Sequence, residues 1–347
     1  MEVLTYTCRN CGAALSHSID TQSWDCKFCG SSYALDEIQG AGKPEIQEPQ
    51  ASGFHNFNEN EASAYECPSC GGHIVTDKNT AATFCVYCHN PTVIASRLRD
   101  RGMPDLIIPF KLGKDEAVKA LQKLCKGKPL LPKEFRESAV NGEVSGLYVP
   151  FWLFDSDVDG YMEGLGRRVT VWSDRKYHYT KTDTYKVVRS GSIFVKRVPV
   201  DGSAKLDDKL MEAMEPYHYG ELRDFAMEYV SGHFAETYEI PSGRAGERAA
   251  SRMKDGMSGI LREQVRGYNS FDVKQMDVKT RNFSHKYAML PVWTLMHMFG
   301  GKTYYFVMNG QTGTIVGKLP ISWRKAGVIF GVVSALSFLA MLIGGLT

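Results

Sequence analysis

The sequence has no excess of charge of either sign. It contains 41 lysine and arginine residues and 39 aspartate and glutamate residues, so its net charge is +2 over 347 residues. Such a balance gives no global attraction to nucleic acid or to acidic substrates. Glycine and proline, at 33 and 14 residues, are too few for a collagen-like or low-complexity chain. With 43% hydrophobic residues, the chain is expected to fold as roughly two domains.

Complete motifs of common catalytic sites are also missing. The segment GGKT at 300–303 resembles the end of a phosphate-binding loop, but the first glycine of that motif falls on Met296. No G-x-S-x-G nucleophile motif occurs either. We therefore expect a protein that is not an enzyme. An unrecognised enzyme within residues 105–320 stays open as an alternative, because many catalytic sites are dispersed along the sequence.

Cysteine is nearly absent from most of the chain, because only Cys125 lies beyond the first 88 residues. The other eight cysteines form two sets with one spacing, C-x2-C-x14-C-x2-C. The first set is Cys8, Cys11, Cys26 and Cys29, and the second is Cys67, Cys70, Cys85 and Cys88. Every member of the first set recurs 59 residues later, as do Tyr6 and Gly12. The sequence therefore contains a duplicated module.

The cysteine spacing predicts two zinc ribbons. Two residues between cysteines allow both thiolates of a pair to reach one ion, and fourteen residues allow a hairpin to join the pairs. Four thiolates at about 2.3 Å form a closed, structural Zn²⁺ site without an open coordination position. A module of about 28 residues buries too little apolar surface to fold alone. Binding of a structural zinc ion contributes roughly 10–16 kcal/mol to the free energy of folding. We expect two zinc ions, one per ribbon.

Other interpretations of the cysteines stay open. Iron binds similar four-cysteine knuckles, and eight buried or redox-active cysteines at coincidental spacing are the plainest alternative. His73 and His89 lie beside cysteines, but with four thiolates present we expect them to be loop residues. Glycine follows three of the four pairs, where a positive φ is often needed: Gly12, Gly30 and Gly71.

The charge of the N-terminal region favours a protein partner over nucleic acid. Residues 1–104 contain seven basic and twelve acidic residues, a balance of −5. Phosphate binding usually requires a cluster of lysine and arginine, and none is visible there. Four aromatic residues are candidates for base stacking, a small core or a protein-contact patch: Trp24, Phe28, Phe84 and Tyr87.

Composition divides the chain into five parts. The two ribbons are predicted over 1–35 and 65–95, with a flexible acidic linker over 36–64 that is rich in Gly, Pro, Gln, Asn and Glu. Residues 105–320 contain aromatic and aliphatic runs typical of strands, separated by helical patterns at 114–126, 203–214, 219–230 and 243–267. Strands followed by helices and further strands indicate an α+β body.

The last part, residues 327–346, is an apolar run without charge. Its twenty residues would reach about 30 Å as a helix, the thickness of the bilayer's hydrocarbon core. Trp323, Arg324 and Lys325 precede the run, as at a membrane interface. We therefore predict one C-terminal transmembrane helix, with a buried core helix as the alternative.

The start of the chain agrees with a cytoplasmic location. MEVLTYTCRN has neither the basic start nor the apolar run of a signal peptide, and thiols facing the cytosol stay reduced. The expected location is the cell membrane, with the soluble body facing the cytoplasm. Three small residues in the predicted span are spaced by four and suggest close helix packing in a homo- or hetero-oligomer: Gly327, Gly331 and Ala335.

The sequence as a whole resembles a known family. The resemblance rests on the paired ribbons, the strand-like runs with Pro-Phe or Pro-Val-Trp at Pro109, Pro150 and Pro291, the NGQTG turn at 309–313 and the apolar C-terminus. The sequence is similar to the bacterial TFIIB-type zinc-ribbon membrane proteins, which are often labelled primosomal or helicase-like. Some relatives are encoded beside phage-shock protein A and flotillin-like proteins. The resemblance implies metal ligation by the eight paired cysteines and a role in placing stress machinery at the membrane.

The leading hypothesis is a membrane-anchored, zinc-binding adaptor whose ribbons recruit a cytosolic protein partner. A membrane-tethered nucleic-acid-binding protein is the second hypothesis, and an enzyme in residues 105–320 is the third.

Overall fold

A computed structural model describes residues 3–39, 62–138 and 142–344. Its strands are β1 (Leu15–His17), β2 (Trp24–Cys26), β3 (Ser32–Tyr33), β4 (Ala62–Glu66), β5 (His73–Asp77), β6 (Thr80–Phe84), β7 (Pro91–Val93), β8 (Leu106–Ile107), β9 (Glu143–Ser173), β10 (His178–Asp201), β11 (Arg223–Asp224), β12 (Phe234–Glu236), β13 (Ser270–Phe299), β14 (Lys302–Asn309) and β15 (Ile315–Gly317). Its helices are α1 (Leu35–Gln39), α2 (Ala95–Arg101), α3 (Lys114–Cys125), α4 (Lys133–Ser138), α5 (Asp208–Ala213), α6 (Ser242–Glu263) and α7 (Trp323–Gly344).

The N-terminal region forms two cysteine modules of different connectivity. Strands β1, β2 and β3 form a small antiparallel sheet in the first module. In the second module β4 and β5 form one hairpin, and β6 and β7 form another. Most of the predicted linker, 36–64, lies outside the described residues, although residues 36–39 belong to α1.

The second cysteine module continues directly into the main sheet of the body. Strand β6 pairs with β12, and β12 pairs in parallel with the start of β9. The main sheet has the order β11-β8-β13-β9-β12-β6-β7, with β10 beside β9 and β14 and β15 beside β13. One hairpin of the second ribbon is therefore an edge of the large sheet rather than a separate unit.

Three strands of exceptional length organise the body. Strand β9 has 31 residues, β13 has 30 and β10 has 24, and β9 pairs with both of the others. At about 3.3 Å per residue, β9 extends for roughly 100 Å. Side-chain burial alternates along the middle of β9, as in a strand with one face covered: even-numbered residues from Val158 to Gly166 are buried, and the odd-numbered ones between them are partly exposed.

In the sequence, segments 167–172, 177–188 and 193–198 predict a meander with turns near Asp174 and Gly191. The first turn is present, where Asp174 Oδ1 accepts from the backbone N–H groups of Lys176 and Tyr177 at 2.8 Å each. The second is absent, because Gly191 lies within β10 and pairs with Gly160. Continuous pairing with β9 overrides the turn tendency of a single glycine.

Helix α6 covers one face of the long strands. Its buried residues recur at intervals of three and four, as in an amphipathic helix, and include Met253, Met257 and Leu261. The predicted helix at 219–230 is instead two short 3₁₀ turns, Tyr219–Glu221 and Met227–Val230, because Arg223 and Asp224 between them pair with β8 as β11. The predicted helix at 203–214 is shortened to α5.

Apolar clusters cover both faces of the sheet. The larger cluster joins α3, α6 and the first cysteine module, and includes Phe110, Tyr148 and Phe306. The smaller cluster on other sheet residues includes Val149, Phe151 and Leu290, covered by Met211 of α5 and by Met214. Cys125 is buried in the larger cluster, as its place on the apolar face of the helical pattern at 114–126 predicts.

The predicted transmembrane helix over 327–346 is wrong. Among the residues that the structure describes, no helix is both long and apolar enough to cross a membrane. Helix α7 begins at Trp323, with Arg324 and Lys325 in its first turn, and Lys325 Nζ donates to Leu131 O of the body at 2.7 Å.

Three further expectations depended on that span and are corrected with it. Within the described residues no transmembrane helix follows the body, which corrects the expected fold class, and the membrane is not supported as a partner. The expected location at the cell membrane, with the body facing the cytoplasm, also loses its basis. So does helix packing in a bilayer through Gly327, Gly331 and Ala335.

The contact between α6 and β9 makes a prediction about stability. A Cβ atom added at Gly160 would lie 2.6 Å from Met257 Cε and 2.8 Å from Met257 Cγ, whereas one added at its partner Gly191 meets nothing within 4 Å. We expect Gly160→Val to lower the free energy of unfolding by about 1–3 kcal/mol, because the helix must shift away from the strand. Gly191→Val is the matched control and should be neutral or stabilising. Equal thermal denaturation midpoints for the two variants would contradict this packing.

Candidate metal centres and the groove between them

The eight paired cysteines assemble into two clusters, as their spacing predicts. Cys8, Cys11, Cys26 and Cys29 form one cluster, and Cys67, Cys70, Cys85 and Cys88 form the other, with all sulfur atoms of a cluster within 4.8 Å of one another. Cross-pair Sγ–Sγ distances are 3.5 Å for Cys8–Cys29 and 3.7 Å for Cys67–Cys88. A tetrahedral ion at about 2.3 Å from each sulfur separates the sulfurs by roughly 3.8 Å. Both clusters therefore fit a four-coordinate metal ion.

The same backbone turn holds each cysteine pair. The carbonyl oxygen of the first cysteine accepts from the N–H group four residues later, as for Cys8 and Gly12 at 2.8 Å and for Cys85 and His89 at 2.9 Å. The residue at this fourth position has a positive φ in all four turns: Gly12 75°, Gly30 76°, Gly71 72° and His89 58°. The expected role of the three glycines is confirmed, and His89 occupies the corresponding position in the fourth turn.

The thiols within these clusters have very different pKa values. The Tyr33 hydroxyl lies 3.3 Å from Cys8 Sγ, and its hydrogen bond is the main cause that lowers the pKa of Cys8 to about 6. Burial, together with the neighbouring sulfurs, raises the pKa of Cys88 to about 12. Four adjacent thiols therefore do not all ionise at neutral pH unless a bound cation compensates the charge.

The two histidines next to the cysteines have different outcomes. The side chain of His89 is exposed, and each described cluster consists of four cysteine sulfurs alone. His73 begins β5, but its side chain lies outside the described residues. The four-thiolate prediction therefore needs no histidine ligand.

The first cysteine module is fastened to the body by buried contacts. Trp24 Nε1 donates to Glu228 O at 2.8 Å, and the backbone N–H of His17 donates to Ser231 O at 3.0 Å. The His17 and Trp24 rings also pack edge to face, with centroids 4.9 Å apart. Burial lowers the pKa of His17 to about 4, so the imidazole is neutral at physiological pH. Trp24 is thus a docking residue, not an exposed stacking platform.

A groove of about 310 Å³ lies between the two cysteine modules. The first module contributes Lys27 and Phe28, which stand between Cys26 and Cys29. The remaining lining residues come from the first module, from the second and from the body: Ala13, Ala14, Ser16, Phe84, His89, Asn90, Pro91 and Gly232. Residues of both cysteine modules therefore line one concave surface.

Aromatic side chains make this groove a candidate binding site. Phe28 is 84% exposed at its rim, although exposure of such a large apolar side chain is unfavourable in water. Phe84 in its wall contacts Phe234 of β12, with ring centroids 5.4 Å apart. Sequence reasoning identified Phe28 and Phe84 but missed Gly232 and Phe234, because only the fold brings residues from the body beside the cysteine modules.

The exceptional position of His89 predicts a stabilising substitution. His89 and Gly30 are equivalent in the duplicated module, and each has a positive φ. We expect His89→Gly to raise the free energy of unfolding of the metal-loaded protein by about 0.5–1 kcal/mol, since a left-handed conformation is unfavourable for a residue with a Cβ atom. Thermal denaturation in the presence of excess zinc measures the change.

The reciprocal variant Gly30→Ala is the control. The space around Gly30 is open, with nothing within 4 Å of an added Cβ atom, so any loss reports the backbone conformation alone. It should destabilise the protein by about 1 kcal/mol. Destabilisation by His89→Gly would show that the imidazole itself supports the second centre.

Comparison with known proteins identifies one curated relative. The protein is 32% identical over 348 residues to a Bacillus subtilis (strain 168) protein described as "Uncharacterized protein YdjG", and the match covers 99% of each chain. No protein-family model matches the sequence, and no solved structure matches it. The match extends over both cysteine modules and the whole body. The chain therefore belongs to the same protein family as YdjG.

Proposed function

We propose that the protein is a zinc-stabilised adaptor that binds a protein partner in the groove between its two cysteine modules. The observation that carries the proposal is the position of Phe28, an exposed aromatic side chain held between two cysteines at the rim of that groove. In this role the metal centres are structural and the groove is the recognition site.

Zinc is the proposed metal because the two clusters present closed sets of four thiolates. Zn²⁺ prefers tetrahedral sulfur ligation and has no redox chemistry that would damage its ligands. Each second cysteine pair also borders the groove, through Phe28 in the first module and His89 in the second. Loss of zinc would thus disorder both walls of the groove. Iron in the same sites is the alternative metal.

The groove favours an apolar peptide segment of a protein partner. A volume of about 310 Å³ lies at the lower end of the range for binding pockets, which suits one or two inserted side chains. Phe28, Phe84 and Pro91 supply apolar surface, whereas Lys27 is the one fully charged side chain among the lining residues. A single lysine is too little for phosphate recognition, so nucleic acid is disfavoured at this site.

The resemblance to TFIIB-type zinc-ribbon proteins supports the proposal, since each four-sulfur cluster has the ribbon spacing. A partner from envelope-stress or flotillin-like machinery remains an expectation from that resemblance. We propose a non-enzymatic role, because complete catalytic motifs are missing from the sequence.

Site-specific photo-crosslinking tests the adaptor proposal. A photoreactive phenylalanine analogue replaces Phe28 in the full-length protein inside cells, and in a second strain it replaces Tyr305, a residue of β14 that is 57% exposed. We expect a discrete, nuclease-resistant protein adduct at position 28 and none at position 305, because the groove contacts the partner directly.

Two further variants show whether the adduct depends on the proposed site. Cys8→Ser combined with Cys67→Ser should abolish the adduct by removing one ligand from each cluster, and Lys27→Glu should weaken it. A nucleic-acid adduct at position 28, or equal protein adducts at positions 28 and 305, would refute recruitment through the groove.

A further inference from the structure

The long strands end in a hairpin that extends past the third strand. Pairing between β13 and β9 begins at Ser270, opposite Arg167. Beyond that point only β9 and β10 continue, as a two-stranded hairpin that turns at residues 174–177. We call this hairpin, together with the next five residues of β10, which pair with β9 beside β13, the arm (residues 167–189). Nearly all of its side chains are exposed, with Val187 as its one buried residue.

The arm has a strong positive charge that the whole chain does not have. Its 23 residues contain seven basic and two acidic residues, a net charge of +5 in a protein whose total is +2. Its basic residues are Arg167, Arg168, Arg175, Lys176, Lys181, Lys186 and Arg189. Two of them are partly neutralised by ion pairs, Lys181 with Asp183 at 3.0 Å and Lys186 with Glu163 at 2.9 Å. Within the described residues, Arg175 and Lys176 at the tip form no ion pair.

Aromatic rings lie among these charges near the tip. Trp172 and Tyr179 are directly opposite each other in the strand pairing, and their rings are stacked with centroids 5.4 Å apart and an interplanar angle of 13°. Tyr177 packs against Tyr179 at a centroid distance of 6.3 Å. Trp172 is 48% exposed and Tyr177 is 62% exposed, so aromatic surface remains open to solvent.

Strand register places aromatic and basic side chains on one face. Residues two apart on a strand share a face, as do directly paired residues. The successive pairs on this face are Trp172–Tyr179, Thr170–Lys181, Arg168–Asp183 and Gly166–Tyr185. The Arg168 guanidinium lies over the Tyr185 ring, 5.8 Å from its centroid. The opposite face carries Arg167 and Lys186 but no aromatic ring between them.

We propose that this aromatic face of the arm binds single-stranded nucleic acid. Bases stack on the open surfaces of Trp172 and Tyr177, and phosphates pair with Arg168, Lys181 and the tip residues. Base–aromatic stacking does not depend on sequence, and basic side chains supply the salt-sensitive attraction that tracks a backbone. The site is distinct from the cysteine modules, whose region has a charge of −5.

The tip favours nucleic acid over an anionic membrane as the occupant. A hairpin that enters a bilayer surface leads with apolar side chains, whereas Asp174, Arg175 and Lys176 lead here. Asp174 is held in the turn by its hydrogen bonds to the backbone of residues 176 and 177, so its carboxylate stays at the tip. Burying that carboxylate in lipid is unfavourable.

Fluorescence anisotropy of the full-length, zinc-loaded protein tests this site. The probes are a labelled oligothymidylate of about 20 nucleotides and a duplex of equal length, and flotation with phosphatidylglycerol vesicles covers the lipid alternative. We expect the oligothymidylate to bind more tightly than the duplex, with an affinity that falls as salt rises. Trp172→Ala combined with Tyr177→Ala should weaken binding at least about tenfold.

A matched pair of charge variants separates recognition from general attraction. Arg168→Gln with Lys181→Gln alters the aromatic face, and Arg167→Gln with Lys186→Gln removes the same charge from the opposite face. The first should weaken binding about tenfold or more and the second about threefold or less. Equal losses in the two variants, tighter binding to duplex, or binding to vesicles but not to oligothymidylate would overturn the proposal.

Discussion

The structure of the two cysteine modules depends on how the mutual repulsion of their crowded sulfur atoms is relieved. Four cysteine sulfurs lie within 4.8 Å of one another in each cluster, and only a bound cation allows all of them to be thiolates. The small strands around each cluster bury too little apolar surface to hold this arrangement alone. In the proposed function, the metal centres organise the walls of the groove, and the exposed residues between the ligands make the recognition contacts.

The body is stabilised by strand pairing and by apolar packing on both faces of a sheet, and not by cysteine clusters. One hairpin of the second cysteine module, β6 and β7, is part of that sheet. The first module is fixed through Trp24 and His17 to the segment around Ser231. Because the cysteine modules and the body share these contacts, the body also lines the groove, at Gly232. The arm begins at Arg167, far along β9 from Leu147 and Tyr148, where β12 joins β9 to the second cysteine module.

Local sequence patterns predicted the parts of the structure that depend on local chemistry. The cysteine spacing predicted both clusters, and the glycines after the cysteine pairs predicted their positive φ angles. Long-range pairing was not predictable in this way. A turn was predicted near Gly191, but this residue lies inside β10, opposite Gly160. The helix predicted over 219–230 is interrupted by a short strand, β11, that pairs with β8. The prediction of a membrane span was wrong because it used only the length and the lack of charge of the apolar run. These two properties do not show that the helix begins at Trp323 or that Lys325 contacts the body.

X-ray absorption spectroscopy at the zinc edge of the purified full-length protein tests the central claim most directly. Together with metal quantification, it reports the identity, number and ligands of the bound ions. The account predicts two zinc ions per chain, each surrounded by four sulfur atoms at about 2.3 Å. Iron in place of zinc, a single ion per chain, or nitrogen and oxygen atoms in the first coordination shell would contradict it.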